Sequence, residues 1–226
     1  MENNNNKIQS QESYAQLKEA LADAEKILVG IGGEWKLSED ADPQRISEVK
    51  EGYHQLYELI KDKDYFVVTT VTDGEIWKSE LSGERIVAPC GNRHLRQCEK
   101  ACVKEVWKEE EVFEGVCPHC GAPLVENTIQ AENYVEEGYL PMWKKYQLWL
   151  SVTLNRKLVV LELGEGFKTP TVIRWPFEKT VFFNQKSRMF RVHESLCQVS
   201  QEIGGRATPV AANSLEFIRN GKEKNL

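Results

Sequence analysis

Apolar positions follow two rhythms along this chain. Leu17, Ala20, Leu21 and Ala24 recur at helical steps, which predicts a helix from an N-cap at Ser13 to about Glu25. Residues 1 to 12 before it are polar and Asn-rich and are expected to be a disordered tail. Lys26-Ile-Leu-Val-Gly30 reads as a short buried strand running into Gly32 and Gly33. Asp42-Pro43 forms a helix N-cap and first turn. The helix it opens runs to about Lys61, with Ile46, Val49, Tyr53, Leu56 and Ile60 on one face. Tyr65 to Val71 and the short Ile86-Val87 are further strands. Glu132 to Leu154 is mostly helical, with breaks near Gly138 and Pro141; its stripe of Tyr139, Trp143, Tyr146 and Trp149 predicts core packing. Lys157 to Leu163 is an apolar strand ending in Gly164-Glu165-Gly166. Thr169-Pro170 opens another helical segment, and Arg188 to His193 is a strand. Residues 195 to 226 are expected to be peripheral, with a charged, frayed tail.

Strands alternating with helices predict an α/β fold with a parallel sheet. In such a sheet the carboxyl ends of the strands gather on one edge, where ligands bind. Here those ends are Gly30, Thr72-Asp73, Gly164 and His193-Glu194. Glycine at a strand end lets backbone amides approach a diphosphate, although the same residues also suit a plain turn. The alternation is interrupted over about 92 to 127. There Cys98-x3-Cys102 and Cys117-Pro-His-Cys120 give two cysteine pairs with the spacing of a four-thiolate structural zinc site. His119 lies inside the second pair as an expected bystander, and His94 is a weaker candidate ligand.

The 226-residue chain has 35 acidic and 29 basic residues, a net charge of −6, which speaks against a nucleic-acid partner. No apolar run reaches the ~20 residues of a membrane span. The polar Met1 to Gln11 is unlike a signal peptide, so a cytoplasmic protein with reduced or metal-bound cysteines is expected.

The strand-Gly turn, Thr69-Thr70-x-x-Asp73, the four cysteines and a late strand-Gly-x-Gly together resemble the sirtuin family. Leu161-Glu-Leu-Gly-Glu-Gly-Phe-Lys-Thr-Pro170 is similar to Leu-Glu-Leu-Gly-Val-Gly-x-Asn-Thr-Pro of the macrodomain-linked class M branch. Val172-Ile-Arg-x-Pro-Phe177, Gln97-Cys98-x-Lys-x-Cys102 and Cys120-Gly-x-Pro fit the same branch. The resemblance covers about residues 26 to 193. It implies a Rossmann-like, doubly wound NAD-binding domain (13–91 and 128–226), a zinc-binding lobe (92–127) and a substrate cleft between them. It also implies NAD contacts from Gly30, Gly32, Gly33, Thr70, Asp73, Gly164, Glu165, Gly166 and His193, with Asp73 and Cys90 in the catalytic positions. Zn2+ would be structural, held by Cys98, Cys102, Cys117 and Cys120. The implied activity is NAD-dependent ADP-ribosyl transfer to a protein acceptor, of the lipoyl-carrier kind. Deacylation is the sibling activity, and NAD hydrolysis without an acceptor is a further possibility. A catalytically inactive nucleotide- or partner-binding module is the alternative.

The chain departs from the family pattern at several positions. Val71 replaces an Asn, and Cys90 stands where the family has His and class M members tend to have Gln. Glu34 closes the first glycine turn, where like charge would oppose a diphosphate. The family's Pro-Asp-Phe-Arg stretch is absent. Cys90 reads either as a thiol activated by a strand-end turn or by Arg93, or as a small buried residue filling space.

Overall fold

The structure is a computed structural model that describes residues 2–112 and 115–221. It contains α1 (Glu2–Asp23), β1 (Lys26–Ile31), α2 (Pro43–Ile60), β2 (Asp64–Thr69), β3 (Ile86–Val87), β4 (Gly91–Cys98), β5 (Val106–Lys108), β6 (Leu124–Thr128), α3 (Leu140–Ser151), β7 (Leu158–Leu163), α4 (Arg174–Phe183), β8 (Arg188–Val192), β9 (Ala207–Val210) and α5 (Ser214–Asn220). Six strands form one sheet in the order β3-β2-β1-β7-β8-β9, and every neighbouring pair is parallel. This is the Rossmann-like doubly wound order, with the chain starting mid-sheet and working outward in both directions.

Side-chain alternation explains why the central strands read as continuous apolar runs. Ile27, Val29 and Ile31 of β1 pack on one face with α1, α2 and α5. Leu28 points to the other face, against Phe66, Val160 and the helices α3 and α4. Both faces are covered, so every position of β1 after Lys26 is buried. The aromatic stripe of α3 does pack on the sheet. Tyr146 and Trp149 lie 5.4 and 5.8 Å from Phe66, and Trp149 Nε1 donates to Asp64 at 2.8 Å. Asp42 caps α2 as expected, accepting from Arg45 N–H at 2.8 Å.

Two expectations need correction. The polar start is helical from Glu2, not a disordered tail. Tyr14, Leu17 and Leu21 are buried, and a helix anchored there extends N-terminally more cheaply than it nucleates. Met1 lies outside the described residues. The stretch after 195 is not peripheral. β9 extends the sheet beside β8, and α5 buries Leu215, Phe217 and Ile218 in the core. Pro209 disguises β9 in the sequence, and an edge strand tolerates it. Residues 222–226, expected as a frayed tail, lie outside the described residues.

β4, β5 and β6 make a separate antiparallel sheet in the order β5-β4-β6. Buried Gln97 ties it to the segment leading into α3. Its Oε1 accepts from Asn127 Nδ2 at 2.7 Å and Val135 N–H at 2.9 Å, and its Nε2 donates to Asn133 O at 2.7 Å. Among the described residues, no helix is long and apolar enough to cross a membrane.

Candidate functional site

β1 and β7 are neighbours, but the helices that follow them pack on opposite faces of the sheet. Their carboxyl-end loops therefore diverge and leave a crevice. A cavity of about 400 Å³ opens there, lined by Gly33, Thr70, Cys90, Gly164, Glu165, Gly166 and His193. The ends of β1, β2 and β7 thus converge on one site, and Ile129 and Gln130, just beyond β6, close its lobe side.

The two glycine turns interlock. Gly32 N–H donates to Leu163 O at 2.8 Å, and Glu34 N–H donates to Gly164 O at 3.3 Å. A Cβ on Gly32 would lie 2.4 Å from Glu165 Cα, so only glycine permits this approach. Gly164 has φ 67°, and a Cβ there would meet Glu34 Cβ at 2.5 Å. Gly30 is not in the cavity wall. It faces α4, where a Cβ would strike Ile173 and Phe177 at 2.6 Å, so its role here is helix-sheet packing.

Glu34 also lines the cavity, with both carboxylate oxygens engaged by backbone N–H groups. Its Oε1 accepts from Glu194 N–H at 2.9 Å and its Oε2 from Ser214 N–H at 2.7 Å. Trp35 Nε1 also donates to Ser214 Oγ at 3.1 Å, which bolts the first turn to the start of α5. His193 Nδ1 accepts from Ser195 and Leu196 N–H at 3.1 Å, which places its proton on Nε2. Glu34 Oε1 lies 3.3 Å from the same nitrogen.

Asp73 is in a neighbouring wall and does not line this cavity. Its carboxylate accepts from Leu37 N–H at 2.7 Å and Glu75 N–H at 3.0 Å, fixing the loop after the first turn. Burial raises its pKa, and the two N–H donors oppose that rise. Cys90 lines the cavity but is only 3% exposed, and burial pushes its thiol up to about 11. Arg93, the cation expected to activate it, pairs instead with Glu39 and Glu126.

Glu165 is the strongly perturbed acid of the site. It is 2% exposed, and burial raises its pKa to about 7 against an opposing hydrogen bond from Thr70. Thr70 Oγ1 donates to its Oε2 at 2.6 Å. Beneath it lies a buried ionic network. Arg191 grips Glu162 with two hydrogen bonds of 2.7 and 2.9 Å, and Arg174 reaches Glu162 at 3.3 Å. Arg174 also donates to Glu165 O at 2.7 Å and Leu196 O at 3.0 Å. One guanidinium therefore holds both the second glycine turn and the loop after β8.

Sequence reading missed Lys36, Lys168, Thr169 and Gln130, which also line the cavity. Lys168 and Thr169 follow the Gly-x-Gly turn after Phe167 and were open to detection. Ser214, which anchors the first turn from 180 residues away, gave no local signal.

The sulfurs of Cys98, Cys102, Cys117 and Cys120 all lie within 4.8 Å of one another. Cys98–Cys120 and Cys102–Cys117 are 3.6 and 3.5 Å apart. A tetrahedral zinc with Zn–S bonds of about 2.3 Å separates its sulfurs by about 3.8 Å, so the donor set fits. Two tight turns present them, with Ala101 at φ 46° and Gly121 at φ 71°. His119 is outside the cluster, paired with Glu105 at 3.1 Å.

No protein-family model matches the chain. It is similar to a protein ADP-ribosyltransferase of Staphylococcus aureus, 22% identical over 176 residues, covering 70% of this chain and 56% of the relative. It is also similar to a probable bifunctional ADP-ribose hydrolase/ADP-ribosyltransferase of Fusarium oxysporum, 26% identical over 174 residues, covering 66% of this chain and 29% of the relative. The chain therefore spans about half the length of the first relative and less than a third of the second. A solved Sir2 homolog–NAD complex superposes with a TM-score of 0.60 at 10% identity, covering 91% of each chain. The interlocked glycine turns, the doubly wound sheet and the four-cysteine lobe are thus arranged on the sirtuin fold.

Proposed function

We propose that this chain binds NAD as substrate at the β1/β7 crevice and transfers its ADP-ribosyl group to a protein acceptor. The observation that carries the reading is the cavity itself. It joins both glycine turns, Thr70 and the residue at position 90, between sheet and lobe, with Lys36 and Lys168 available to a diphosphate. The relative named a protein ADP-ribosyltransferase supports the same chemistry, and a lipoyl-carrier acceptor is what the class M resemblance suggests. Transfer is favoured over deacylation. A thiol with its pKa near 11 is protonated at neutral pH and is a poor base for a ribose hydroxyl. Breaking the glycosidic bond needs mainly positioning and charge stabilisation.

In this reading residues 13–91 and 128–226 form the NAD domain and 92–127 the zinc lobe. Gly33, Gly164 and Gly166 leave room for the cofactor backbone, and His193 Nε2–H is placed to donate to a ribose oxygen. The four cysteines hold Zn2+ in a closed shell that fixes the lobe wall and takes no part in the reaction. All six cysteines are unpaired, which suits a reducing compartment such as the cytoplasm.

A second reading, a nucleotide-binding module without turnover, is favoured by one observation. Cys90, at the position of the family's His, is a buried thiol that desolvation holds protonated at neutral pH. Calorimetry with ADP-ribose tests binding, and intact-protein mass spectrometry of a lipoyl-carrier acceptor after incubation with NAD tests transfer. No heat at millimolar ADP-ribose excludes both readings. Binding without NAD consumption leaves the module.

A further inference from the structure

The residue between the two late glycines is a carboxylic acid where the resembling branch carries valine. The residue lines the cavity and is held at both its side chain and its backbone. Thr70 donates to Oε2 at 2.6 Å, and Arg174 fixes the backbone carbonyl at 2.7 Å. The Thr169 hydroxyl lies beside both this carboxyl and the Cys90 thiol and lowers the proton affinity of each.

The other groups on the wall are poor proton acceptors. Val71 is apolar, and Cys90 is a protonated thiol. Glu34 is engaged by two backbone N–H groups, and His193 Nδ1 by two more. Lys36 and Lys168 are cations. Behind the carboxyl, Glu162 on β7 raises its proton affinity and Arg174 on α4 lowers it.

We propose that Glu165 is the general base of this site. Resting on the transferase reading above, the step runs as follows. An acceptor hydroxyl, amine or thiol attacks C1′ of the nicotinamide ribose, forming a C1′–heteroatom bond. The C1′–nicotinamide bond breaks, and its electron pair leaves with the nicotinamide nitrogen. The acceptor's proton passes to the Glu165 carboxylate and then to solvent. Burial supports the role, because a carboxyl titrating at about 7 is a stronger base than an exposed one and is still ionised in part at neutral pH.

The test uses the full metal-loaded chain, NAD, and water or added methanol as the probe nucleophile, with nicotinamide release read by chromatography. The native protein is expected to show an acid limb near pH 7 in kcat. Glu165→Gln should lower kcat by about 100-fold or more and remove the limb, with ADP-ribose affinity within about threefold. Thr70→Val, which removes a donor to the carboxylate, should move the limb to higher pH. A Glu165→Gln protein with native kcat and limb overturns the proposal and leaves the transferase reading standing. Loss of ADP-ribose binding in a folded Glu165→Gln protein overturns it in favour of a binding role. If Glu165→Gln does not fold, an unmoved limb in Thr70→Val overturns it. A native protein that consumes no NAD overturns both readings, and ADP-ribose calorimetry on that protein identifies the case.

Discussion

At Glu165 burial lifts the carboxyl from an ordinary 4.5 to about 7. Between those two values the folded chain keeps the proton and the unfolded chain releases it. The native state is therefore favoured at low pH and loses that advantage as pH rises through 7. Glu165→Gln removes the penalty. It should be about 1–3 kcal/mol more stable than native in urea at pH 8, with the difference gone below pH 4.5. Equal midpoints at pH 8 would show that the carboxyl is not strained in the fold. Such a gain alongside lost turnover is the usual trade-off at an active site. Gly164 is constrained differently, by φ 67° and by Glu34 above it. Gly164→Ala should cost about 2 kcal/mol or more and weaken ADP-ribose binding, read by thermal unfolding and calorimetry.

The lobe has little apolar core of its own. Its buried cluster is Cys98, Cys117 and Ala122, with Trp107 and Leu124 against it. Three short strands over so few apolar groups need a covalent or metal link. Chelation should therefore raise amide exchange in β4 and β6 by tenfold or more while β1 and β7 stay protected; uniform protection would mean the lobe folds without metal. Charge links β7, β8 and α4. Arg174 and Arg191 share Glu162, whose carboxylate has no exposure. Arg174→Met leaves part of that charge uncompensated and should cost about 3–5 kcal/mol in urea unfolding. It should also loosen the two loops Arg174 holds, seen as faster exchange at Gly164–Gly166.

Across the whole molecule, the first glycine turn and the last helix meet beside the site. α5 packs on α2 so closely that a Cβ on Gly52 would lie 2.2 Å from Leu215. It also anchors Glu34 and Trp35 through Ser214. Removing the chain from Ser214 onward should thus unfold the body or abolish ADP-ribose binding, since three buried apolar side chains at about 1.5–3 kcal/mol each go with it. A truncated protein that still binds ADP-ribose with native affinity would show that the first turn is held by β7 alone.

The sequence by itself determined the elements whose signal is local. β1, β2 and β7 are apolar runs because both sheet faces are covered, and the cysteine spacing prescribed two turns that meet. The strand-end glycines marked the crevice, since a missing Cβ is a local fact with a backbone consequence. Tertiary structure decided the remainder. It sent Asp73 to the loop at Leu37 and Thr70 to the cavity, although the two are three residues apart. It brought α5 onto the first turn, buried the Cys90 thiol, and buried the Glu165 carboxyl so that its pKa rises. Periodicity depends on neighbours along the chain, whereas desolvation and hydrogen-bond partners depend on atoms that only folding brings near.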